Sequence, residues 1–337
     1  MLDSFILSKN FDRNFFFLRK YIPFINRRYN YLHNINFKTQ TKKEHCNIEE
    51  IIAEAEEALQ KIKSATYIED ISPEIPKTIW LYWNSSLETA PDVVKHSLLS
   101  WKMMNPDYQI CFLNDNNLNE VLGFNFNSVF QLASVNLGFA MKADILRLYL
   151  LSKFGGIWAD TTTFCLTPLN KWLPEATKQT NFFTFRHRNN HTRPIEAWFI
   201  ASPKGSPITK HTLSLFLNHL FKDRNITLYI SNRIKRIGHR DNERERFFSD
   251  IVNIAEKKYF MPYFSVGYFF NSSLNQPESR TVWDCLQNKT NNHSINNDDF
   301  DTFRQSYVSK QTYKKDYQDG DIYQERVKYL KSILNQQ

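Results

Sequence analysis

The chain between residues 75 and 113 has the pattern of a strand, a helix and a second strand. Residues 75–83 are predicted to form a strand, whose alternating side chains place Ile79, Leu81 and Trp83 on one face and Thr78, Trp80 and Tyr82 on the other. Residues 91–104 have helical spacing and begin at Pro91, and residues 108–113 form a second short apolar run. Strands that alternate with helices are typical of a parallel sheet covered by helices. The pattern therefore predicts an α/β fold.

The same periodicities extend the predicted layer beyond residue 113. A helix is expected over residues 138–154, stopped by Gly155 and Gly156, and a strand, or a strand plus turn, over residues 157–166. The other predicted elements are strands at residues 181–188 and 195–202, helices at residues 47–63, 205–221, 241–257 and 321–334, and a polar loop at residues 288–299. We expect three regions: an N-terminal segment with an amphipathic helix (1–70), a main α/β domain (71–285) and a polar C-terminal extension with a terminal helix (286–337).

Composition shows that a large core is available and excludes several classes of protein. Of the 337 residues, 42% are hydrophobic and 15% are aromatic, which rules out global disorder, collagen and a disulfide miniprotein. The four cysteines are far apart and form no CxxC pair, so we expect neither a zinc site nor a disulfide framework, and a reducing compartment fits best. No stretch of about 18 uncharged apolar residues exists, so a spanning helix is not expected.

The net charge of +8 is concentrated near the N-terminus. Residues 1–45 contain nine Lys and Arg but three Asp and Glu, and residues 1–40 interleave aromatic clusters with basic residues. One interpretation is a segment that lies on an anionic membrane surface, with rings at the interface and cations near phosphates. The alternative is a helical extension packed on the main domain. The rest of the chain is nearly balanced in charge, which does not point to nucleic acid as a partner.

A pair of opposite charges stands among apolar neighbours in the helix predicted at residues 138–154. Asp144 and Arg147 are three positions apart and therefore share a helix face. Burying charges is costly unless each charge has partners. The pair is either an internal salt bridge that holds the helix or a pair of polar groups that reaches a ligand with hydroxyl groups.

The segment GGIWAD, residues 155–160, follows that helix directly. Its two glycines end the helix and admit close backbone approach. Side chains alternate along an extended segment, so Trp158, Asp160 and Thr162 project to one side. Ligand crevices in parallel α/β sheets lie at the carboxyl ends of strands, where a carboxylate suits a hard cation or a sugar hydroxyl. The alternative role of Asp160 is to cap a turn.

Three blocks of sequence together resemble a known family. They are IPKTIWLYW (75–83), ADILRLYLLSKFGGIWADTTTFCLTPL (143–169) and IEAWFIASPKGSPI (195–208). In order and spacing they resemble the capsular polysaccharide synthesis proteins, which belong with the glycosyltransferase family 32 sugar transferases that contain a DXD motif. The resemblance implies a GT-A type fold for the main domain, with helical additions at both ends. It also implies a UDP- or GDP-sugar donor, Mn²⁺ or Mg²⁺ as cofactor, and retention of anomeric configuration.

The resemblance also implies a role for individual residues at the donor. Trp80 matches the position whose ring stacks on the nucleobase in related transferases. Asp144 and Arg147 match the helix residues that hydrogen-bond the donor sugar. Asp160 matches the first Asp of DXD, which touches ribose, sugar or metal, and Trp158 beside it is counted with the donor-binding residues.

The implied metal site departs from the family pattern. Asp160 is its expected carboxylate, but Thr162 stands where the second Asp is normally the direct metal ligand, and a neutral hydroxyl binds a divalent ion more weakly. Asp284 is a further carboxylate considered as a late metal ligand. A divalent ion or fixed cations must neutralise the diphosphate leaving group, and Arg147 with a basic residue of the cluster at 185–193 is expected to assist.

The combined expectation is a cytoplasmic glycosyltransferase, peripheral on the inner face of a bacterial membrane. It would move a sugar, from a UDP-sugar by preference, to a capsule or lipopolysaccharide acceptor that is a glycan or a lipid-linked glycan. Residues 1–40 would bring it to the anionic membrane surface. The alternatives are a toxin-like protein glycosyltransferase, a non-catalytic membrane- or polyanion-binding protein driven by the basic N-terminus, and a degenerate transferase in which Thr162 marks lost metal binding.

Overall fold

The computed structural model shows a mixed α/β fold around a five-stranded sheet. It describes residues 2–8, 15, 18–19, 21–32, 48–135, 137–187, 195–224, 227–231, 249–257, 259–287 and 291–336. The strands are β1 (Thr78–Tyr82), β2 (Gln109–Leu113), β3 (Gly156–Ala159), β4 (Thr163–Cys165), β5 (Phe183–Arg186), β6 (Ile195–Ser202), β7 (Tyr229–Ser231), β8 (Phe260–Pro262), β9 (His293–Ile295) and β10 (Val308–Lys310).

Helices precede, separate and follow these strands. They are α1 (Leu2–Ser8), α2 (Pro23–Leu32), α3 (Ile48–Ser64), α4 (Asp92–Met104), α5 (Leu118–Leu122), α6 (Phe139–Lys153), α7 (Leu173–Thr177), α8 (Pro207–Leu220), α9 (Ser249–Lys257), α10 (Ser265–Leu274), α11 (Arg280–Gln287), α12 (Phe300–Gln305), α13 (Lys315–Gln318) and α14 (Asp321–Leu334). The predicted helices at 47–63, 91–104, 138–154, 205–221 and 321–334 are confirmed to within a few residues. Of the helix predicted at 241–257, the described part is α9.

The five-stranded sheet has the order β2-β1-β3-β6-β5. Strand β1 pairs in parallel with both β2 and β3, while β6 runs antiparallel to β3 and to β5. The strand–helix–strand prediction for residues 75–113 is therefore confirmed, including the parallel direction. The carboxyl ends of β1, β2 and β3 meet at one edge of the sheet, and ligand crevices of α/β sheets form at such an edge.

Helix α6 is buried on nearly all sides, as expected for a helix that is apolar all round. It packs against β1, β3, β6 and α8. The apolar residues of its central and last turns, for example Leu146 and Leu150, have no exposed surface. Asp144 and Arg147 are nevertheless buried in the same helix, so their charges have to be compensated nearby.

Gly155 and Gly156 make the sharp turn from α6 into β3. Both have positive φ angles, +70° and +101°, in the region that residues with a Cβ rarely adopt. A Cβ on Gly155 would lie 2.5 Å from the backbone nitrogen of Lys204, and one on Gly156 would lie 2.6 Å from the carbonyl oxygen of Thr78. The turn therefore requires glycine at both positions, and it directs β3 towards the edge where Asp160 follows.

A second sheet ties the C-terminal region to the centre of the chain. Its order is β4-β10-β9, with β10 antiparallel to β4 and parallel to β9. Phe303, Val308 and Leu330 belong to the same hydrophobic core as α6. Residues 291–336, expected as an extension, thus share one core with the region expected as the main domain.

The loop predicted at residues 288–299 is wrong for its central part, because His293–Ile295 form β9. The polar composition of this segment suggested a loop, but the structure buries His293 and Ser294. Ser294 donates its hydroxyl to Ser309 on β10 at 2.6 Å, and the ring of His293 lies 5.1 Å from that of Phe185.

The described N-terminal helices form a small cluster of their own. Ile6, Phe15 and Tyr29 are buried together, while Tyr21 and Phe24 remain exposed. The described part of this segment is thus helical, and its membrane role stays a prediction. No helix in the part of the chain that the structure describes has the length and apolar character needed to cross a membrane.

Candidate functional site

Four charged side chains meet at the carboxyl edge of β3. Asp144 and Arg147 come from α6, Asp160 follows β3 directly, and Lys310 ends β10. We call these four residues the charge cluster. It contains two carboxylates and two cations, so it is neutral overall when all four groups are ionised.

Arg147 lies at the centre of the charge cluster and is 4% exposed. Its Nη2 atom is 3.0 Å from Oδ1 of Asp144 and 3.2 Å from Oδ1 of Asp160. Its Nη1 donates to the carbonyl oxygen of Ala197, and its guanidinium carbon lies 5.2 Å from the centre of the Trp158 ring. Asp144 and Arg147 therefore form an internal salt bridge, as one interpretation expects. Arg147 also contacts Asp160 at the edge of the sheet, which is compatible with the second interpretation, a pair that reaches a ligand.

Asp160 is held in position from several sides. Its backbone N–H donates to the carbonyl of Trp198 at 2.9 Å, and Thr163 donates both its backbone N–H and its hydroxyl to the carbonyl of Asp160. The Trp158 indole N–H donates to Oδ1 at 2.8 Å. The carboxylate is nevertheless 25% exposed. A fixed carboxylate that reaches solvent at the end of a strand is suited to binding rather than only to support.

Lys310 contacts both polar side chains of the DXD-like segment. Its Nζ donates to Oδ2 of Asp160 at 2.6 Å and to the Thr162 hydroxyl oxygen at 2.7 Å. The Lys310 side chain is 23% exposed. An ammonium group therefore bridges the two side chains that the resemblance assigned to a divalent cation.

The surroundings shift the pKa values of the two carboxylates in opposite directions. Burial raises the pKa of Asp144 to about 6, with Arg147 and Lys310 opposing the shift and Asp160 adding to it. Burial also acts to raise the pKa of Asp160, but the charges of Lys310 and Arg147 and the hydrogen bonds from Lys310 and Trp158 bring it below its ordinary value. Asp160 is therefore ionised at neutral pH, whereas Asp144 titrates near the lower end of the physiological range.

Aromatic rings lie beside the charge cluster. Trp83 follows β1 at its carboxyl end, and its ring centre is 5.5 Å from that of Tyr313, which is 59% exposed. Tyr263 is 41% exposed. Burial is the main cause that raises the pKa of its hydroxyl, and the charges of Asp144 and Asp160 act in the same direction. These three rings, the aromatic rim, offer stacking surface next to the carboxylates.

Trp80 stands apart from the charge cluster. Its indole N–H donates to the carbonyl of Gly155 at 2.9 Å, and Gly155 precedes β3 whereas Asp160 follows it. The ring packs on Phe154 with centres 5.8 Å apart, and the residue is 8% exposed. The base-stacking role given to Trp80 by the resemblance stays a prediction, and the structure offers Trp83 as a ring with more open surface.

Of the remaining predicted donor- and metal-binding residues, two lie beside Asp160 and one lies away from it. Trp158 and Thr162 are buried beside Asp160, where Trp158 donates to Asp160 and Thr162 accepts from Lys310, and their role in donor binding stays a prediction. Asp284 lies on α11, which packs against β5 at the edge of the sheet, and its Oδ1 is 3.9 Å from Nε of Arg280. The structure thus brings Trp158, Asp160 and Thr162 together and does not bring Asp284 into the charge cluster.

The residues around Asp160 do not fit a divalent cation. Both oxygens of its carboxylate already accept hydrogen bonds from cationic side chains. Among the described residues, no group of three or more His, Cys, Asp and Glu side chains is arranged to hold a metal ion. A hard cation binds several oxygen ligands, one or two of them usually protein carboxylates, and here the Lys310 ammonium already occupies the position between Asp160 and Thr162.

Lys310 was not predicted from the sequence as a residue of the site. The expected assisting cation was a residue of the cluster at 185–193, of which the structure describes residues 185–187. The strand that carries Lys310 is three residues long and is separated from Asp160 by 150 positions. Only the pairing of β10 with β4 brings them together, and nothing in the local sequence indicates that pairing.

Comparison with known proteins identifies the same region of the chain. A family model described as "Capsular polysaccharide synthesis protein" matches residues 27–235, which is more than half of the sequence.

Curated relatives are similar over shorter stretches. The chain is 22% identical over 174 residues to "Putative glycosyltransferase HOC1" of Saccharomyces cerevisiae, covering 47% of this chain and 43% of that protein. It is 25% identical over 156 residues to "O-glycosyltransferase braB" of Annulohypoxylon truncatum, covering 42% and 37%. It is 28% identical over 109 residues to "Initiation-specific alpha-1,6-mannosyltransferase" of Saccharomyces cerevisiae, covering 31% and 23%. The chain therefore spans less than half the length of each of these relatives.

Among solved structures, the chain is similar to "PaToxG Glycosyltransferase". The match covers 71% of this chain and 94% of that chain, with 16% sequence identity and a TM-score of 0.29. At that TM-score the likeness adds nothing to the description of the fold.

Proposed function

The chain belongs to the capsular polysaccharide synthesis protein family, and from this premise we propose that it is a glycosyltransferase that takes its sugar from a nucleotide-sugar donor. The observation that carries the proposal is Asp160, a fixed and partly exposed carboxylate at the carboxyl edge of β3 between two cations. Sugar hydroxyls bind to carboxylates and guanidinium groups, and diphosphates bind to cations. The charge cluster offers both kinds of group within one site.

A GT-A-like arrangement is part of the proposal. It is supported by the parallel strands β2, β1 and β3, by the helix α6 that precedes the DXD-like segment, and by the position of Asp160 after β3. In this arrangement the aromatic rim at Trp83 and Tyr313 stacks on the nucleobase or on a sugar ring. Asp144 and Arg147 hold sugar hydroxyls, and Asp160 orients the donor.

The proposed reaction exchanges one bond at the anomeric carbon of the donor sugar. The bond from this carbon to the diphosphate oxygen breaks, and its electron pair stays on that oxygen. The hydroxyl oxygen of the acceptor bonds to the anomeric carbon, and its proton passes to the released diphosphate or to solvent. We propose that the anomeric configuration of the sugar is retained, because the resemblance implies this outcome. The fixed cations of the site stabilise the charge that develops on the leaving group.

The acceptor that we favour is a surface glycan, capsule or lipopolysaccharide, as the family description suggests. The curated relatives are fungal glycosyltransferases, one of them named for the transfer of α-1,6-linked mannose. A toxin-like transfer to protein is the alternative that differs in acceptor, and incubation with glycan and protein acceptors distinguishes the two.

The N-terminal segment is proposed to bring the enzyme to an anionic membrane surface on which its acceptor is held. Exposed rings such as Tyr21 and Phe24 and the excess of basic residues support this role. Deletion of residues 1–40 is expected to reduce recovery of the protein with anionic vesicles in a flotation assay, while nucleotide binding is retained. Equal recovery of the two proteins contradicts the proposed role.

Calorimetric binding of UDP and GDP to the purified protein tests the proposed donor site. We expect one of the two nucleotides to bind, and its identity names the base of the donor. Trp83→Ala is expected to weaken that binding by about tenfold, because one stacked ring contributes roughly 1–3 kcal/mol. Tyr67→Ala removes a ring that is exposed after α3, and it is the control with unchanged affinity. Failure of the folded wild type to bind either nucleotide contradicts the proposed function.

A further inference from the structure

We infer that Lys310 takes the place of the divalent cation in this site and binds the diphosphate of the donor, so that the protein binds its donor without metal. The inference rests on the proposed function, because it assigns the diphosphate of a nucleotide-sugar to the charge cluster. It differs from the expectation of Mn²⁺ or Mg²⁺, and Lys310 is the residue that replaces that ion.

The backbone places Lys310 against the DXD-like segment. In the antiparallel pairing of β10 with β4, Lys310 lies opposite Thr163. The next residue, Gln311, donates its backbone N–H to the carbonyl of Thr162 at 2.7 Å. Strand pairing on both sides of Lys310 thus limits where its side chain can reach. A long flexible side chain is anchored at its base, as a binding residue requires.

One of the three N–H groups of the Lys310 ammonium donates to no acceptor among the described residues. A lysine side chain carries three N–H donors. Among the described residues, its acceptors are Oδ2 of Asp160 at 2.6 Å and the hydroxyl oxygen of Thr162 at 2.7 Å. The third N–H is available to an incoming oxygen, and the partial exposure of the side chain gives such an oxygen access.

Thr162 is explained by the same geometry. A second aspartate at this position would add a negative charge that a metal ion needs but that one ammonium does not. The hydroxyl of Thr162 accepts a hydrogen bond from Lys310 and leaves the charge cluster neutral. A divalent ion added at this position would lie beside the Lys310 ammonium and be repelled by it. Threonine in place of aspartate and lysine in place of a metal ion are therefore two parts of one arrangement.

The role of Lys310 in the reaction is electrostatic. When the bond between the anomeric carbon and the diphosphate oxygen breaks, its electron pair stays on that oxygen. The positive charge of Lys310 stabilises this oxygen, and its free N–H donates to an oxygen of the diphosphate. Lys310 keeps its proton throughout, so the step requires no further reactant.

Calorimetry with UDP and GDP, each in EDTA and in Mn²⁺, tests this inference. For the wild type we expect the affinity for the preferred nucleotide to agree within about twofold between the two buffers. A hydrogen bond to a charged group contributes about 1.5–3 kcal/mol, so Lys310→Met is expected to bind at least tenfold more weakly. Lys310→Arg keeps the charge and is expected to restore part of the affinity. Lys77→Met, which removes an exposed lysine before β1, is the matched control.

Three other outcomes would contradict either the role of Lys310 or the proposed function. Binding by the wild type that is tenfold or more tighter in Mn²⁺ than in EDTA overturns the role of Lys310 and leaves the proposed function in place. Unchanged affinity of a folded Lys310→Met variant does the same. Absence of binding by the wild type in both buffers overturns the proposed function and the role of Lys310 with it. The comparison of the two buffers uses the wild type alone, so it does not depend on the folding of any variant.

Discussion

Replacing Asp160 by asparagine is expected to lower the rate of sugar transfer by about a thousandfold, the effect of removing one fixed electrostatic group from an active site. Asparagine has nearly the same shape as aspartate, so the backbone contacts of residue 160 are preserved. The variant loses the negative charge that orients Arg147 and Lys310, and its amide NH₂ is directed at groups that also donate. The cations are then no longer held at the donor.

The rate of nucleotide release from the donor sugar measures this effect, because it requires no knowledge of the acceptor. Asp107→Asn is the matched control. Asp107 precedes β2 at the opposite edge of the sheet and accepts a hydrogen bond from Asn170 at 2.7 Å, so its variant should retain the wild-type rate within about twofold. An Asp160→Asn variant that keeps more than a tenth of the wild-type rate would remove Asp160 from the proposed mechanism.

Replacing Arg147 by methionine is expected to lower the free energy of unfolding by about 3–5 kcal/mol, the cost of leaving buried charge without its partner. Arg147 is the cation shared by Asp144 and Asp160. Methionine preserves most of the length and apolar contact of the side chain but cannot pair with either carboxylate. Lys310 still binds Asp160, so the larger part of the loss is expected at Asp144.

The loss of stability is expected to depend on pH in one direction. Burial raises the pKa of Asp144 to about 6 while Arg147 acts to lower it, so removal of Arg147 raises that pKa further. A carboxyl with a raised pKa in the folded state contributes stability at low pH, and this contribution is lost as the pH rises through the folded value. The deficit of Arg147→Met is therefore smaller at pH 5 than at pH 8.

Urea denaturation of the wild type and of Arg147→Met at the two pH values measures both effects. Arg304→Met provides the control, since Arg304 forms a surface pair with Asp301 at 3.4 Å, and such pairs contribute about 0–1 kcal/mol. A deficit below 1 kcal/mol at pH 8, or a deficit that grows towards pH 5, would show that Asp144 is not held in its ionised form by Arg147.

The parts of the site that lie on neighbouring elements were predictable from the sequence. Asp144 and Arg147 share a helix face because they are three positions apart, and Asp160 follows a strand whose start is marked by two glycines. Each of these inferences needs only the geometry of one helix or one strand. The parallel direction of β1 and β2 followed from the helix between them.

The rest of the site depends on information that no short segment contains. The alternation of residues 75–83 separates two faces of a strand but does not say which tryptophan stays in the core. In the structure both faces of β1 are covered, and Trp80 is buried and packs on Phe154, whereas Trp83 follows the end of the strand and is only partly buried. Lys310 lies on a strand with two small or β-branched neighbours, and its partner strand is chosen by packing across the whole chain.

Because Lys310 lies on β10, which pairs with β4, the charge cluster is completed only after β10 has been synthesised. Asp144, Arg147 and Asp160 leave the ribosome early, and the ammonium that binds Asp160 follows 150 positions later. Contacts so far apart in sequence form late, because closing the intervening loop costs entropy. A message with a premature stop after β6, or a protease that cuts there, yields a chain with the DXD-like segment but without the cation that binds it. Such fragments lack Lys310, so we expect the proposed activity only from chains that extend through β10.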